Sequence, residues 1–332
     1  MRFGQNSPLL ILDGAYFGHR SYHSRHTPPR EAFVELVLGV IAREQPEFLV
    51  CAWDAEGPNY RHDLYEGYKS NRPEKDPALV AHLRACFQIL RHLGIAVFEA
   101  SGFEGDDVVA TLTRRWTRQG GKTTIYTADK DILQLVDDQT RVVVGGRSYQ
   151  YDGVVEDYGV PPELVSAFLA LAGDSADGIP GIPGIGKQTA ARLLNAFGSL
   201  DALIEAAPKT GDRRAQAIVG REEELALYHR LTVLSEDVPL DICDEDMVCL
   251  VHPANLRREP MENAGPEGRR LWQAVQRFHH PLLPYYERSL VFSERLALMK
   301  GAGVDALQRV REARRAAARI EIYRPEYPAW RA

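Results

Sequence analysis

Residues 123–131 read TTIYTADKD, an apolar, β-rich run that stops on Asp129 with Asp131 two places on. Three further runs punctuate the same half of the chain: 9–13 (LLILD), 48–54 (FLVCAWD) and 96–99 (AVFE). Between them, residues 31–43, 77–93 and 104–118 carry helical apolar spacing, with Gly94 just past one helix and Gly120-Gly121 past another. Alternating strands and helices predict an α/β core with a mostly parallel central sheet flanked by helices. Two more β-rich runs, 141–144 and 148–151, flank Gly145-Gly146 and predict a hairpin at the sheet edge. Beyond residue 160 the pattern is all helical in short pieces, at 163–172, 187–197, 200–206 and 221–234. The expected division is a core at 1–160 that includes a distinctive segment at 59–77, an α-helical subdomain at 161–240, and a mostly helical C-terminal extension at 241–332.

With 332 residues, 45% hydrophobic and 26% charged, the chain has enough apolar material for a substantial core. No apolar stretch reaches the roughly 20 residues a bilayer span needs, and residues 1–8 lack the pattern of a signal peptide, so a soluble cytoplasmic protein is expected. Cys51, Cys86, Cys243 and Cys249 have neither zinc-ligand spacing nor disulfide-scaffold density and are expected to be small buried side chains. Net charge is −6, which taken alone argues against a nucleic-acid partner. The acidity is uneven: residues 1–180 hold 18 basic against 25 acidic side chains, and residues 181–332 hold 22 against 21.

Much of that acidity falls where strands end. In a parallel sheet the strand C-termini share one edge, which brings Asp13, Asp54, Asp129 and Asp131 together. The sequence GFEGDD at 102–107 opens a helix at the same edge and adds Glu104, Asp106 and Asp107; Glu104 and Asp107, spaced i, i+3, can share a helix face. GDSADG at 173–178 offers Asp174 and Asp177. Any one of these acids could be a helix cap or dipole partner. Nine at one edge repel one another and require a compensating cation. Oxygen-only ligation selects Mg²⁺ or Mn²⁺, and two such ions suit in-line displacement at phosphorus.

Residues 178–190, GIPGIPGIGKQTA, mimic a phosphate-binding P-loop until Gln188 stands where Ser or Thr is required, and no strand precedes them. A tight turn between short helices predicts a helix-hairpin-helix, in which Gly181, Gly184, Gly186, Lys187 and Thr189 grip a nucleic-acid phosphate without reading sequence. Residues 59–72 interleave Tyr60, Tyr65 and Tyr68 with Arg61, Lys69 and Arg72, a composition suited to phosphate neutralisation and base stacking.

Five stretches in register, LLILDGAYFGHRSYH, CAWDAEGPNYRHDLYEGYKSNRP, GFEGDDVVA, YTADKDILQLV and LAGDSADGIPGIPGIGKQTAARLL, resemble the 5′ nuclease family over about residues 9–205. That family comprises the 5′-3′ exonuclease domain of bacterial DNA polymerase I, phage 5′ exonucleases and flap endonucleases. The resemblance implies a PIN-like core and a metal-dependent nuclease cutting DNA, and RNA of the same strand such as a primer, near a 5′ end, flap or branch. It assigns Asp13, Asp54, Glu104, Asp106, Asp107, Asp129, Asp131, Asp174 and Asp177 to metal binding. Lys69 and Arg72 match basic residues of the family's helical gateway near the scissile phosphate, with Arg61 preceding them. Arg20 matches a DNA-binding basic residue, and the hairpin loop implies a K⁺ site. A monomer is expected. The alternatives are a PIN-type ribonuclease or a non-catalytic, structure-specific DNA-binding protein. No family resemblance covers residues beyond about 240, where 304–320 predict an amphipathic helix; the histidines, His279-His280 among them, have no metal-ligand spacing and are expected to be structural or surface groups.

Overall fold

In the computed structural model, residues 7–242 other than 45, 47 and 94 are described, together with Met247. The expected helix at 304–320, His279-His280, Cys243, Cys249 and Gly94 lie outside the described residues. Strand β1 (Pro8–Asp13) is the middle of a six-stranded sheet and pairs in parallel with both β2 (Phe48–Ala52) and β4 (Lys122–Thr127). The order is β3-β2-β1-β4-β5-β6, with β3 at Ala96–Phe98 and β5 at Thr140–Val144; only β6 (Arg147–Tyr149) runs antiparallel. The chain builds outward from β1 through β2 to β3, then jumps back to β4 on the other flank of β1. That reversal opens a crevice at the C-terminal ends of β1 and β4, the place where α/β sheets bind ligands.

Both faces of the sheet are covered, which is why β1 and β2 are apolar throughout. Leu10, Leu12, Leu49 and Cys51 face α1 (Gly14–Tyr22), α2 (Pro29–Glu44) and α4 (Pro77–His92), while Leu9, Ile11, Phe48 and Val50 face α5 (Gly105–Thr117), in the two-residue alternation of a strand. Phe33, Leu38 and Ile41 of α2 are fully buried on the first side, and Trp116 of α5 on the second, its indole N–H donating to the Ser7 carbonyl at 2.9 Å. The apolar cluster of the α5 side continues into α7 (Val165–Ala172), α8 (Lys187–Phe197), α9 (Leu200–Ala206) and α11 (Glu222–Thr232). Cys51 and Cys86 are free and buried, as expected.

Sequence periodicity places α8 and α9 to the residue but misses four short helices: α1, α3 (Tyr60–Leu64), α6 (Tyr151–Tyr158) and α10 (Arg213–Gln216). α1 hides because Gly14 and Gly18 interrupt its apolar pattern; its start is fixed by Asp13, whose carboxylate accepts from the Tyr16 N–H. β2 and β4 stop two residues short of the expected ends, so Asp54 and Asp129 stand on loops just beyond the strands.

α7 ends at Gly173, whose φ of 83° and ψ of 157° suit only glycine. A Cβ there would meet the Pro180 carbonyl oxygen at 2.6 Å, and one on Gly181 would meet the Gly173 nitrogen at 2.4 Å. Two strands of backbone therefore touch directly, closing the loop that carries Asp174 and Asp177 through an Asp174–Ile179 bridge. Gly173→Ala is expected to lower the melting temperature by about 4 °C or more, measured by thermal denaturation, since backbone strain of ~1–3 kcal/mol adds to the clash.

Candidate metal centre and nucleic-acid cleft

An open cleft of about 1700 Å³ lies over the strand ends, lined by Asp13, Asp54, Glu104, Asp106, Asp129, Asp131 and Asp174. Asp13 ends β1 and takes a 2.6 Å hydrogen bond from the Thr127 hydroxyl at the end of β4. That hydroxyl in turn accepts from the Asp129 N–H at 2.9 Å, and Asp129 accepts from the Asp131 N–H at 2.9 Å. Asp54 accepts from the Gly105 N–H at 2.7 Å, tying the loop after β2 to the first turn of α5. Among the described residues no three His, Cys, Asp or Glu side chains close tightly enough to form a ready-made chelate. The acids surround a space instead of meeting at a point.

The energetics of this arrangement are unfavourable when nothing positive enters it. Burial pushes the Asp13 carboxyl up to about 6, against hydrogen bonds from Thr127 and Tyr16, and the charges of Asp54 and Asp129 push further the same way. Burial also raises Asp106, with Asp129, Asp13, Asp54 and Glu104 adding repulsion. Asp131 is raised by burial and then by Asp129, Asp174 and Asp177. Asp129 is raised by burial, opposed by the Asp131 N–H.

Cations occupy one side of the cleft. The Lys69 ammonium sits 2.6 Å from Glu104 and 3.7 Å from Asp177, and Arg72 is 2.7 Å from Asp177. Burial disfavours the Lys69 charge, but Glu104 and Asp177 outweigh it and the pKa rises. Glu104 moves the opposite way: burial raises it, and Lys69 and Arg61 bring it below its ordinary value. Asp177 is buried behind this pair, where the Tyr68 hydroxyl lies 3.0 Å from it and 2.8 Å from Glu104. Arg20 lines the cleft beside Tyr16 and His19 of α1. His19, His23 and His62, left as structural or surface groups by their lack of metal spacing, also line it; α1 brings the first two there by their i, i+4 spacing.

Three expectations are corrected. Asp107 does share a helix face with Glu104, but that face turns into the core, where Asp107 is fully buried. Its four acceptor positions are filled by the Glu104 N–H (3.1 Å), the Ser235 N–H (2.8 Å) and two nitrogens of Arg61 (2.7 and 2.8 Å), leaving no lone pair for a metal. Arg61, 1% exposed, also donates to the Leu231 and Val233 carbonyls and turns a nitrogen to Glu104 at 3.5 Å, so it cannot reach a phosphate. Tyr60 lies over the Arg61 guanidinium, 4.6 Å to the ring centre, and against Phe103, apart from the cleft lining.

The hairpin lies between α7 and α8, so the P-loop reading fails on structure as it did on sequence. Gly186 caps α8 without a side-chain hydrogen bond, Gly184 and Lys187 are exposed, Thr189 lies in the first turn, and Lys187 reaches the cleft. The Gly184 carbonyl accepts from Arg214 at 2.8 Å, and the Ile182 carbonyl from the Ile185 N–H.

Residues 8–159 match the 5′-3′ exonuclease N-terminal resolvase-like domain, and residues 160–254 its C-terminal SAM fold. A 5′-3′ exonuclease of Aquifex aeolicus is 31% identical over 72% of this chain and 86% of its own length. The thermostable DNA polymerase I of Thermus aquaticus is 31% identical over 72% of this chain, which spans only 30% of that polymerase. The chain belongs to the 5′-3′ exonuclease family and is a nuclease. A T5 5′-exonuclease with divalent zinc ions bound shares the fold, at TM-score 0.63 and 20% identity over 82% of this chain and 98% of that one. So does a bacteriophage T5 flap endonuclease complexed with DNA and metal ions, at TM-score 0.60 and 20% identity over 84% and 99%. Among the described residues no helix is long and apolar enough to cross a membrane.

Breaking the buried Arg61–Asp107 pair from either side, with Arg61→Ala or Asp107→Ala, is expected to cost about 3–5 kcal/mol in urea denaturation. Titration calorimetry on folded Asp107→Asn should show a smaller loss of Mg²⁺ affinity than the loss of about 10-fold or more expected for Asp106→Asn, since Asp107 acts only through the placement of Glu104. The raised carboxyls give a pH test. A carboxyl with a raised folded-state pKa destabilises once ionised, and this penalty is absent below the unfolded value of 3.8. Metal-free Asp106→Asn should therefore melt at least about 2 °C above wild type at pH 7, with the gap closing toward pH 4 and disappearing in saturating Mg²⁺.

Proposed function

We propose that this chain is a structure-specific 5′ nuclease that hydrolyses DNA phosphodiesters at a 5′ end, flap or branch, acting as a cytoplasmic monomer and accepting RNA, such as a primer, on the same strand. The observation that carries this reading is the cleft itself: seven carboxylates around one space, with Asp13, Asp106, Asp129 and Asp131 all held above their ordinary pKa. The donor set fits Mg²⁺ or Mn²⁺, because it is all oxygen and strongly anionic, and its spread leaves room for water and phosphate oxygens in the coordination shell. Asp13, Asp54, Glu104 and Asp106 would hold one ion, and Asp129, Asp131, Asp174 and Asp177 a second. Bound there, such ions supply positive charge at the phosphate and make water nucleophilic at neutral pH.

The protein's own groups do the rest. Lys69 and Arg72 are placed to exchange Glu104 and Asp177 for the phosphate oxygens and offset their charge. The open first turn of α8 and Lys187 bind backbone phosphate away from the reacting bond, so binding and chemistry use different groups. A K⁺ ion at the hairpin would use loop carbonyls other than that of Gly184, which Arg214 occupies.

Flap DNA labelled at either the 5′ or the 3′ end, and its RNA counterpart, incubated with Mg²⁺ or EDTA, tests the reading. Cleavage that requires Mg²⁺, leaves a 5′-phosphate and a 3′-hydroxyl, and prefers the DNA flap is expected. Asp106→Asn, Asp177→Asn and Lys69→Ala should each slow it by about 100-fold or more while DNA affinity changes by less than about threefold. Full activity in Asp177→Asn would remove the second-ion assignment; preference for RNA flaps would favour a ribonuclease.

A further inference from the structure

A side groove of about 730 Å³ opens from the main cleft, sharing Ala15, Asp54, Ala55, Gly57 and Lys75 with it. Its walls are different in character. Trp53, Phe87, Val80 and Leu83 line it, with Gln88 and Glu99 as hydrogen-bonding groups and the Arg84–Glu56 ion pair at its margin. Trp53 immediately precedes the cleft acid Asp54. Its ring is pressed against α1 where Gly14 has no side chain; a Cβ there would fall 2.0 Å from the indole. Phe87 of α4 meets the ring edge-on, with centres 5.6 Å apart and planes at 81°. The aromatic pair is therefore held in place before any ligand arrives.

The groove also lies at a defined end of the sheet. Trp53 follows β2 and its backbone N–H donates to Phe98 of β3 at 2.9 Å, on one flank of β1. The hairpin subdomain approaches from the other flank, where α7 packs on the helical turn at Asp131–Leu135 after β4. DNA held by the hairpin and crossing the acids toward Lys75 passes the groove after it leaves the duplex-gripping side.

Resting on the nuclease reading above, we infer that this groove is a binding site for an unpaired nucleobase of the substrate's 5′ single-stranded tail, stacked on Trp53 and Phe87. A paired base cannot enter, because its face is covered by its neighbours and its edge by its partner. The walls fit a base better than a phosphate, since Asp54, Glu56 and Glu99 outnumber Lys75 and Arg84. A nuclease with this site distinguishes a tailed end from a blunt one by gripping the first bases to come free.

The test uses the intact wild-type protein and varies the DNA. Duplexes with a 5′ tail carry a single abasic site moved one nucleotide at a time along the tail, and binding is read by fluorescence anisotropy in EDTA, where nothing is cut. Loss of affinity of about 5- to 150-fold at one or two adjacent positions is expected, the range that stacking of one base supplies. Phe87→Ala should weaken binding of the unmodified tail and abolish the dependence on abasic position, while its affinity for blunt duplex stays at the wild-type value. A flat response along the tail, or an unchanged positional dependence in Phe87→Ala, would overturn the groove assignment and leave the nuclease reading standing. Failure to bind any tailed duplex would overturn both.

Discussion

The cleft depends on one ion pair that is not in it. Arg61 and Asp107 are both removed from water, a state tolerable only if every donor and acceptor is used. Two parallel hydrogen bonds join them, the Leu231 and Val233 carbonyls take more of the guanidinium, and the Glu104 and Ser235 N–H groups complete the carboxylate. Those partners come from three separate places: the short helix α3, the first turn of α5, and the chain leaving α11. A single buried contact thus fixes the short helix α3 and the chain after α11 to the helix that presents Glu104 and Asp106. Glu104 is referred to the pair twice, through its backbone N–H on Asp107 and through its carboxylate 3.5 Å from Arg61.

The contrast with the cleft is chemical. Asp106 and Asp107 are adjacent in sequence, one lining the cleft and the other fully buried, yet Asp107 has its charge compensated by the protein and Asp106 is surrounded by acids. The protein thus satisfies the carboxylate that holds the fold and leaves unsatisfied the one that faces the cleft. Local frustration of this kind is what a site awaiting a cation looks like, because stabilising it with protein donors would occupy the positions a ligand needs.

The legibility of the sequence follows this division. Asp13, Asp54 and Asp129 were readable because strand direction alone sends the ends of parallel strands to one edge, and small errors in strand length do not change that. The edge hairpin was readable from Gly145-Gly146, whereas the order β3-β2-β1-β4-β5-β6 comes from the structure alone. Asp107 could not be separated from its neighbours. On a helix, consecutive residues point about 100° apart, and which of Asp106 and Asp107 faces the cleft depends on how α5 is rotated. That rotation is set by Arg61, more than 40 positions away. Arg61 itself looked like a gateway cation because its segment is basic and aromatic; nothing local marks it as buried. His19 was passed over, and Tyr68 was read as a stacking aromatic and not as a hydrogen-bond donor to the acids, for a related reason: their contacts form only once α1 and the 65–72 turn are in place.

The 65–72 turn shows how cations are held at the margin of the cleft. Lys69 is the only non-glycine residue with a left-handed φ, 52°, among the described residues, and its N–H donates to the Asp177 carbonyl at 2.9 Å. Asn71 and Arg72 add bonds to the Ser175 and Ala176 carbonyls, so the turn is docked along the loop that carries Asp174 and Asp177. Strain of this order is retained where surrounding contacts over-determine it. Here they hold two cations at the margin of an acidic space, close enough to lower the repulsion and still partly solvated. On the proposed reading, an incoming phosphate would meet positive charge that is already oriented, and one oxyanion would take the place of another at Lys69 and Arg72.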